Sequence, residues 1–361
     1  MSPEGRAHGG DVVTVGTGDD MVDIKDAIRT VADRGSLGEA EAHAAMGQVM
    51  DGRATPAQIA ALITALRMKG ETVEEIAGLA RAMRERAQRI TPDAEVLIDV
   101  VGTGGDRLST FNISTTAAFV VAAAGGTVAK HGNRAVSRLS GAADVLEALG
   151  VQIQVSPDVV RTAIEDIGIG FMFAPLYHAA MKHAVGPRKE IGIRTVFNIL
   201  GPLTNPANAN YLVVGTYDAG LTEIMARVLG EMGARRAFVV HGLDGLDEVS
   251  TVGPTRVSEL SRGSVRTYTI TPEDLGLSPS DPAGIAGGRP DENAAITTAI
   301  LQGADGPRQE IVLANAAAAL VAAEIAGDWR EGVALARRAV VSGAAYEKLE
   351  ALRAHTRAAL T

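Results

Sequence analysis

The 361-residue chain contains no cysteine. That excludes disulfide staples and thiol nucleophiles, and it fits a reducing compartment, so a cytoplasmic protein is expected. No window of about 18 or more residues is continuously apolar, so no membrane partner is expected. The opening MSPEGRAHGG lacks the apolar core of a secretion signal. Positive charge is scarce: 34 Lys and Arg against 43 Asp and Glu leave a net charge of −9. This disfavours nucleic acid as a partner and leaves room only for a local basic cleft. No internal repeat and no low-complexity tail occur. Two common phosphate signatures are also missing. No G-x-x-x-x-G-K-[ST] is found, and the third glycine of the dinucleotide fingerprint is replaced by Arg107.

What is present is a globular composition, 46% hydrophobic and 21% charged. The length favours two domains. Residues 1–22, rich in Gly and Asp, read as a disordered extension. From residue 23 to 90 the periodicity is helical. Ile24, Ile28 and Val31 share a face, and Gly35 closes that helix. Ser36-x-x-Glu39, Thr55-Pro56-Ala57-Gln58 and Thr72-x-x-Glu75 read as capping boxes opening three more helices. Lys69 and Arg67 read as solvated, and this part reads as a packing domain.

After Thr91-Pro92, strands and helices alternate, as in an α/β fold. Val96–Val101 reads as a buried parallel strand that runs into Gly102-Thr103-Gly104-Gly105-Asp106. Those glycines let backbone approach a ligand without Cβ clashes. Asn112 or Ser114 then caps an Ala-rich helix ending near Gly125. A strand, a glycine turn and a helix N-terminus make an anion site, because unpaired N–H groups and the positive end of the dipole face outward. The dipole alone contributes only about 0.3–1 kcal/mol, so a polyanion also needs cations. Lys130 supplies one at the end of the next strand, 127–129, and His131-Gly132-Asn133-Arg134 adds donors.

Further strands are expected at 151–153, 169–173, 211–216 and 237–241, with helices 144–149, 157–167 and 221–232. The segment 175–200 interrupts the alternation with His178, Lys182, His183, Arg188, Lys189 and Arg194, and reads either as a solvated basic surface or as helices returning to the helical domain. The acidic loop Asp244 to Glu248 follows a strand, and adjacent carboxylates there are candidates for a hard divalent cation. Asp244 reads as a turn residue. Residues 249–310 read as strand-like, then loop-rich. The C-terminal helices, 310–326 and 329–342, are Ala-rich. Asn315 reads as a structural hydrogen-bonding residue and Trp329 as a packing anchor. The overall expectation is an α/β protein. A small all-helical N-terminal domain precedes a larger α/β domain, 95–174 and 201–361, with a mainly parallel central sheet.

Three motifs, GTGGD at 102–106, TFNIST at 110–115 and KHGNRAVS at 130–137, resemble the anthranilate phosphoribosyltransferase family. The resemblance extends over roughly residues 24 to 355. It implies transfer of the phosphoribosyl group of phosphoribosyl pyrophosphate to the amine of anthranilate, in tryptophan biosynthesis. The implied donor site comprises Gly102, Gly105, Asp106, Thr110, Asn112, Ile113, Ser114, Thr115, Lys130, His131, Gly132, Asn133, Arg134, Ala135, Val136 and Ser137. Gly102, Asn133, His178, Arg188 and Pro202 would border anthranilate, with Arg188 holding its carboxylate. Two Mg2+ ions are implied, on Ser114, Asp247 and Glu248. The stretch ATPAQIAALITALRMKGET is similar to the family's helical domain, which implies a homodimer. The chain departs from the family pattern at Arg138-Leu139 and at Ala142, where a small hydroxyl is usual. One neutral phosphate hydrogen bond lost there costs about 0.5–1.5 kcal/mol. A nucleoside phosphorylase of the same architecture is the nearest alternative, a nucleic-acid-binding relative is the second, and a paralogue that accepts a different aromatic amine is the third.

Overall fold

Four helices open the chain: α1 (Ile24–Ala32), α2 (Glu39–Met50), α3 (Pro56–Lys69) and α4 (Val73–Glu85). The computed structural model describes residues 23–104, 110–135 and 139–359. Gly105, Asp106, Val136, Ser137 and Arg138 therefore lie outside the described residues, as does the expected 1–22 extension. Thr55 and Thr72 cap α3 and α4 as expected, each accepting from the residue three ahead, Gln58 N and Glu75 N. Ser36 does not cap α2. The cap is Gly38, whose N–H donates to Glu41 at 2.7 Å, so the box lies two residues further on than the S-x-x-E pattern suggests. Glu75 is committed more deeply than a capping role requires. It accepts from Leu37 N and pairs with Lys69 at 2.8 Å, with the Lys69 side chain only 8% exposed. Lys69 is thus a buried ion-pair partner rather than a solvated residue.

The second region alternates: β1 (Ile98–Gly102), α5 (Ile113–Ala123), β2 (Val128–Gly132), α6 (Ala142–Ala148), α7 (Pro157–Ile167) and β3 (Ile169–Phe173). Three helices then interrupt it, α8 (Ala174–Tyr177), α9 (Lys182–Ile191) and α10 (Phe197–Leu200). The alternation resumes with β4 (Tyr211–Gly215), α11 (Leu221–Glu231), β5 (Arg236–Gly242), β6 (Thr255–Ser261) and β7 (Ser264–Ile270). The chain closes on α12 (Pro290–Leu301), α13 (Pro307–Ala322), α14 (Trp329–Val341) and α15 (Ala344–Ala358). The sheet order is β3-β2-β1-β4-β5-β6-β7. The first five strands are parallel, and β6 and β7 form an antiparallel edge.

The parallel strands are short apolar runs because both their faces are covered. Val213 packs with β1 and helices α5, α13 and α14, while Leu212 and Val214 pack with α11 and the N-terminal helices. Ala184 of α9 is buried in the same N-terminal core, so the interrupting segment packs on α2 and α3. Residues 151–153 form no strand. Val151 and Ile153 are buried in the main core, and their backbone joins no sheet. The loop-rich expectation for 249–310 misses α12, whose signals were Pro290 at the first turn and Glu292 accepting from Arg289 N. Trp329 stacks on Phe238 with ring centroids 5.1 Å apart, an anchor as expected.

Candidate active site

Strand order reverses between β1 and β4, and in open parallel sheets ligands bind beyond the carboxyl ends of strands at such a point. Both strands end there in glycine, and Gly102 and Gly215 are register partners. The loop after β5 crosses these two ends. A Cβ built on Gly102 would lie 2.6 Å from Asp247 Oδ2, and one on Gly215 only 1.7 Å from the Asp247 carbonyl oxygen. Gly104 N donates to Asp247 Oδ2 at 2.8 Å. The acidic loop and the glycine turn are therefore one unit. Asn315, on α13, holds that loop from below by accepting from Val249 N and donating to Val249 O, both at 2.9 Å. Asp244 accepts from Leu246 N, the turn role expected of it.

Asn112 is the N-cap of α5, yet its side chain makes no cap hydrogen bond. Its carboxamide is bonded to Ser140 and to Asn293 of α12, so it caps none of the first-turn N–H groups. Ser114 stands in that first turn, half-buried, and Thr115 is buried beside it. Thr110 pairs with Ala286 in an antiparallel bridge, which fixes the entry to the helix. Ile113 is buried in the main core and positions the turn rather than touching solvent. Ala142 opens α6 with its methyl against Gly132, where an added Cβ would lie 3.1 Å away.

The two cations expected to meet phosphates are already engaged. The strand β2 extends to Gly132, so Lys130 lies within the sheet, 3% exposed, with its ammonium donating to Val100 O. Burial pushes its pKa down, opposed by the nearby Asp99 and Glu248 carboxylates. Arg134 pairs with Asp144 and Glu147 of α6 and lies over the Phe173 ring. Asn133, exposed, accepts from Arg134 N, and Ala135 N donates to Asp144. These residues shape the loop, and what they offer a ligand directly is backbone and amide groups.

Two residues absent from the sequence expectation tie this end of the sheet together. Asp99 of β1 is fully buried, accepting from His131 N and from Asn205 Nδ2 at 2.7 Å. Asn205 also donates to Ala129 O. The available signals were a carboxylate inside an apolar strand run and an Asn before Pro206. Burial pushes the Asp99 carboxyl up to about 6, against the Lys130 charge and its hydrogen bonds.

His131 and His178 face each other, ring centroids 5.1 Å apart, and each has a buried Nε2 without a partner. Burial lowers their pKa values to about 3 and about 4. Both are neutral in the folded state and protonate in the unfolded chain near 6.5, so their contribution to stability is lost as pH falls from about 6.5 toward 4. Asp99, raised above its unfolded value, opposes this between about 6 and 4. Two histidines against one carboxylate leave a net loss on the order of 1–2 kcal/mol per pH unit. Denaturant unfolding at pH 7.0, 6.0 and 5.0 measures it. His178→Gln is expected to flatten the slope, and a slope unchanged by that substitution contradicts the assignment.

Arg188 lies on α9, its guanidinium 5.0 Å from the Phe197 ring centroid. Among the described residues it has no carboxylate partner, and burial lowers its pKa. Phe197 begins α10, which leads into the turn Gly201–Leu203 holding the buried Pro202. A half-buried planar cation with no counter-ion suits a planar carboxylate. Asp247 and Glu248 are adjacent buried carboxylates. Among the described residues no three His, Cys, Asp or Glu side chains converge on a metal cage. The pair fits Mg2+, which uses one or two carboxylates and fills its shell with water and substrate phosphates.

Residues 94–346 match a family described as "Glycosyl transferase family, a/b domain", and residues 25–87 match its helical bundle domain. The chain is 55% identical to the anthranilate phosphoribosyltransferase of Moorella thermoacetica, over 91% of this chain and 97% of that one. It is 57% identical to that of Geobacter sulfurreducens, over 91% and 98%. The crystal structure of the Thermus thermophilus enzyme superposes with a TM-score of 0.88 at 45% identity, covering 92% of this chain and 99% of that one. The Saccharomyces cerevisiae enzyme in complex with phosphoribosyl pyrophosphate and Mg gives 0.85 at 29% identity, covering 93% and 98%. With both regions matched and whole-length relatives above half identity, the chain belongs to the anthranilate phosphoribosyltransferase family.

Proposed function

We propose that this chain transfers the phosphoribosyl group of phosphoribosyl pyrophosphate to the amine of anthranilate, releasing pyrophosphate, in tryptophan biosynthesis. The observation that carries the acceptor assignment is the uncompensated guanidinium of Arg188, on the segment that also carries His178 and leads to Pro202. An aryl amine is unprotonated near neutral pH, so no strong base is obligatory. The difficult step is departure of pyrophosphate, which leaves positive charge on the sugar and negative charge on the leaving group. Catalysis is then positioning and charge stabilisation.

Backbone N–H groups of the Gly102–Gly104 turn and the α5 N-terminus, with Thr110, Asn112, Ile113, Ser114 and Thr115, hold the pyrophosphate. The end of β2 and the loop after it, residues 130–135, wrap the phosphoribosyl part, with Lys130 and Arg134 acting through the backbone they fix. Gly102 and Asn133 border the acceptor. Ser114, Asp247 and Glu248 hold two Mg2+ ions. When bound, Mg2+ supplies positive charge to the pyrophosphate. The magnesium complex of the yeast relative and the adjacent buried carboxylates support this assignment.

The helical domain spans 23–90 and includes 175–200, and the enzyme acts as a cytoplasmic homodimer. An exposed Met68 on α3, beside an apolar hollow formed with α1, supports the dimer. No helix among the described residues is long and apolar enough to cross a membrane.

Loss of anthranilate fluorescence on adding donor and Mg2+ tests the reaction. Arg188→Ala is expected to raise the anthranilate KM about 10- to 100-fold, the worth of a hydrogen bond to a charged group, with the donor KM little changed. Equal rises in both would remove Arg188 from the acceptor site.

A further inference from the structure

Beyond the active site, the opposite end of the strands carries a second concentration of positive charge. Asn208 precedes β4 and Met232 ends the α11 connection to β5, so both stand at the amino ends of strands. Strands of five residues put these amino ends roughly 16 Å from the carboxyl ends. Between these residues and α4 lies a cavity of about 360 Å³ lined by Arg81, Arg84, Glu85 and Arg89. That volume lies within the range typical of small-molecule sites.

The charges in this cavity are not balanced. Arg81 pairs with Glu39, and Glu85 is held by His43 at 2.6 Å. Arg84 and Arg89 have no carboxylate within 4.0 Å among the described residues. The Arg84 guanidinium donates only to neutral oxygens, those of Asn208, Met232 and Leu203, and its Nε is buried without a partner. Burial and the positive neighbours Arg89 and Arg81 lower its pKa to about 10. Arg89 is exposed and makes one long hydrogen bond, to Arg84 O at 3.4 Å. In a chain of net charge −9, two uncompensated guanidiniums beside a third in one concavity are a cost that a bound anion would offset.

We propose that this cavity, between α4 and the amino ends of β4 and β5, is a second anion site that binds phosphate, either as the free ion or as the phosphate group of a small molecule. Guanidinium forks match phosphate oxygens in pairs, and the two uncompensated arginines balance a doubly charged group. The site is separate from the proposed donor cradle and stands or falls without it. Because Arg84 also holds the Leu203 carbonyl, next to Pro202, occupancy stiffens the junction between α4 and the segment bordering the acceptor.

The test uses the full chain without Mg2+ or donor, titrated with inorganic phosphate and, separately, with glycerol 3-phosphate. A ligand that binds only the native state raises Tm with its concentration. Arg89→Ala is expected to keep its phosphate-free Tm, because Arg89 supports so little, and to need about 10-fold more phosphate for the same rise. Arg89→Lys, which keeps the charge but loses the fork, is expected to fall between. Crystals soaked in inorganic phosphate are expected to show it against Arg84 and Arg89. A stronger response to glycerol 3-phosphate identifies an organic phosphate as the occupant, and a stronger response to inorganic phosphate identifies the free ion. Equal phosphate dependence in wild type and Arg89→Ala, or phosphate confined to the carboxyl ends of β1 and β4, overturns the proposal.

Discussion

Gly215→Ala is expected to reduce kcat/KM by about 100-fold or more, although residue 215 is not itself expected to touch a substrate. The added methyl would lie 1.7 Å from the Asp247 carbonyl oxygen, a distance no packing adjustment of a side chain relieves, because the obstacle is backbone. The loop carrying Asp247 and Glu248 must then lift off the strand ends. It is held from the other side by the paired hydrogen bonds of Asn315 to Val249, so the displacement concentrates in the two carboxylates. A shift on the order of 1 Å at a positioned group costs about 10²-fold in rate. Overpacking also costs about 1–3 kcal/mol of stability. Steady-state kinetics over a range of Mg2+ concentrations, with Tm measured alongside, checks both. Near-normal activity at saturating Mg2+ would show that the loop does not depend on this contact.

Asp99→Ala carries the largest expected loss of stability, about 3–5 kcal/mol. Removing one member of a buried charged cluster leaves the others unpaired in low dielectric. Here the Lys130 ammonium, Asn205 Nδ2 and the His131 N–H all face the missing carboxylate. The effect reaches the cleft because these groups fix the end of β2, from which the 133–135 loop starts. Asp99→Asn keeps the shape and part of the bonding, and is expected to lose less. Denaturant unfolding of the two variants decides the matter, since similar small losses in both would mean that the carboxylate charge is not what holds the cluster together.

The surplus of arginine at the amino ends of the strands differs in kind from the charge at their carboxyl ends. Near the catalytic ends, Lys130 and Arg134 are compensated by Asp99, Glu248, Asp144 and Glu147. In the far cavity, Arg84 and Arg89 meet only neutral oxygens among the described residues. A net charge taken over the whole chain averages these two situations away.

Local chemistry was legible in the sequence wherever it acts over a few residues. The Thr55 and Thr72 caps, the apolar runs of β1 and β3 and the supporting roles of Asn315 and Trp329 all follow from side-chain type and spacing. So does the α/β architecture, because alternating apolar strands and helices have few ways to bury both faces of a sheet. Tertiary structure decided what distance along the chain conceals. Lys69 and Glu75 became a buried pair, and Lys130 turned into the sheet. Asp99 and Asn205 met across 106 positions, and Gly215 proved to be a seat for the Asp247 backbone. Spacing reports periodicity within one element, whereas a charge's partner and a glycine's obstacle come from whichever element packs opposite.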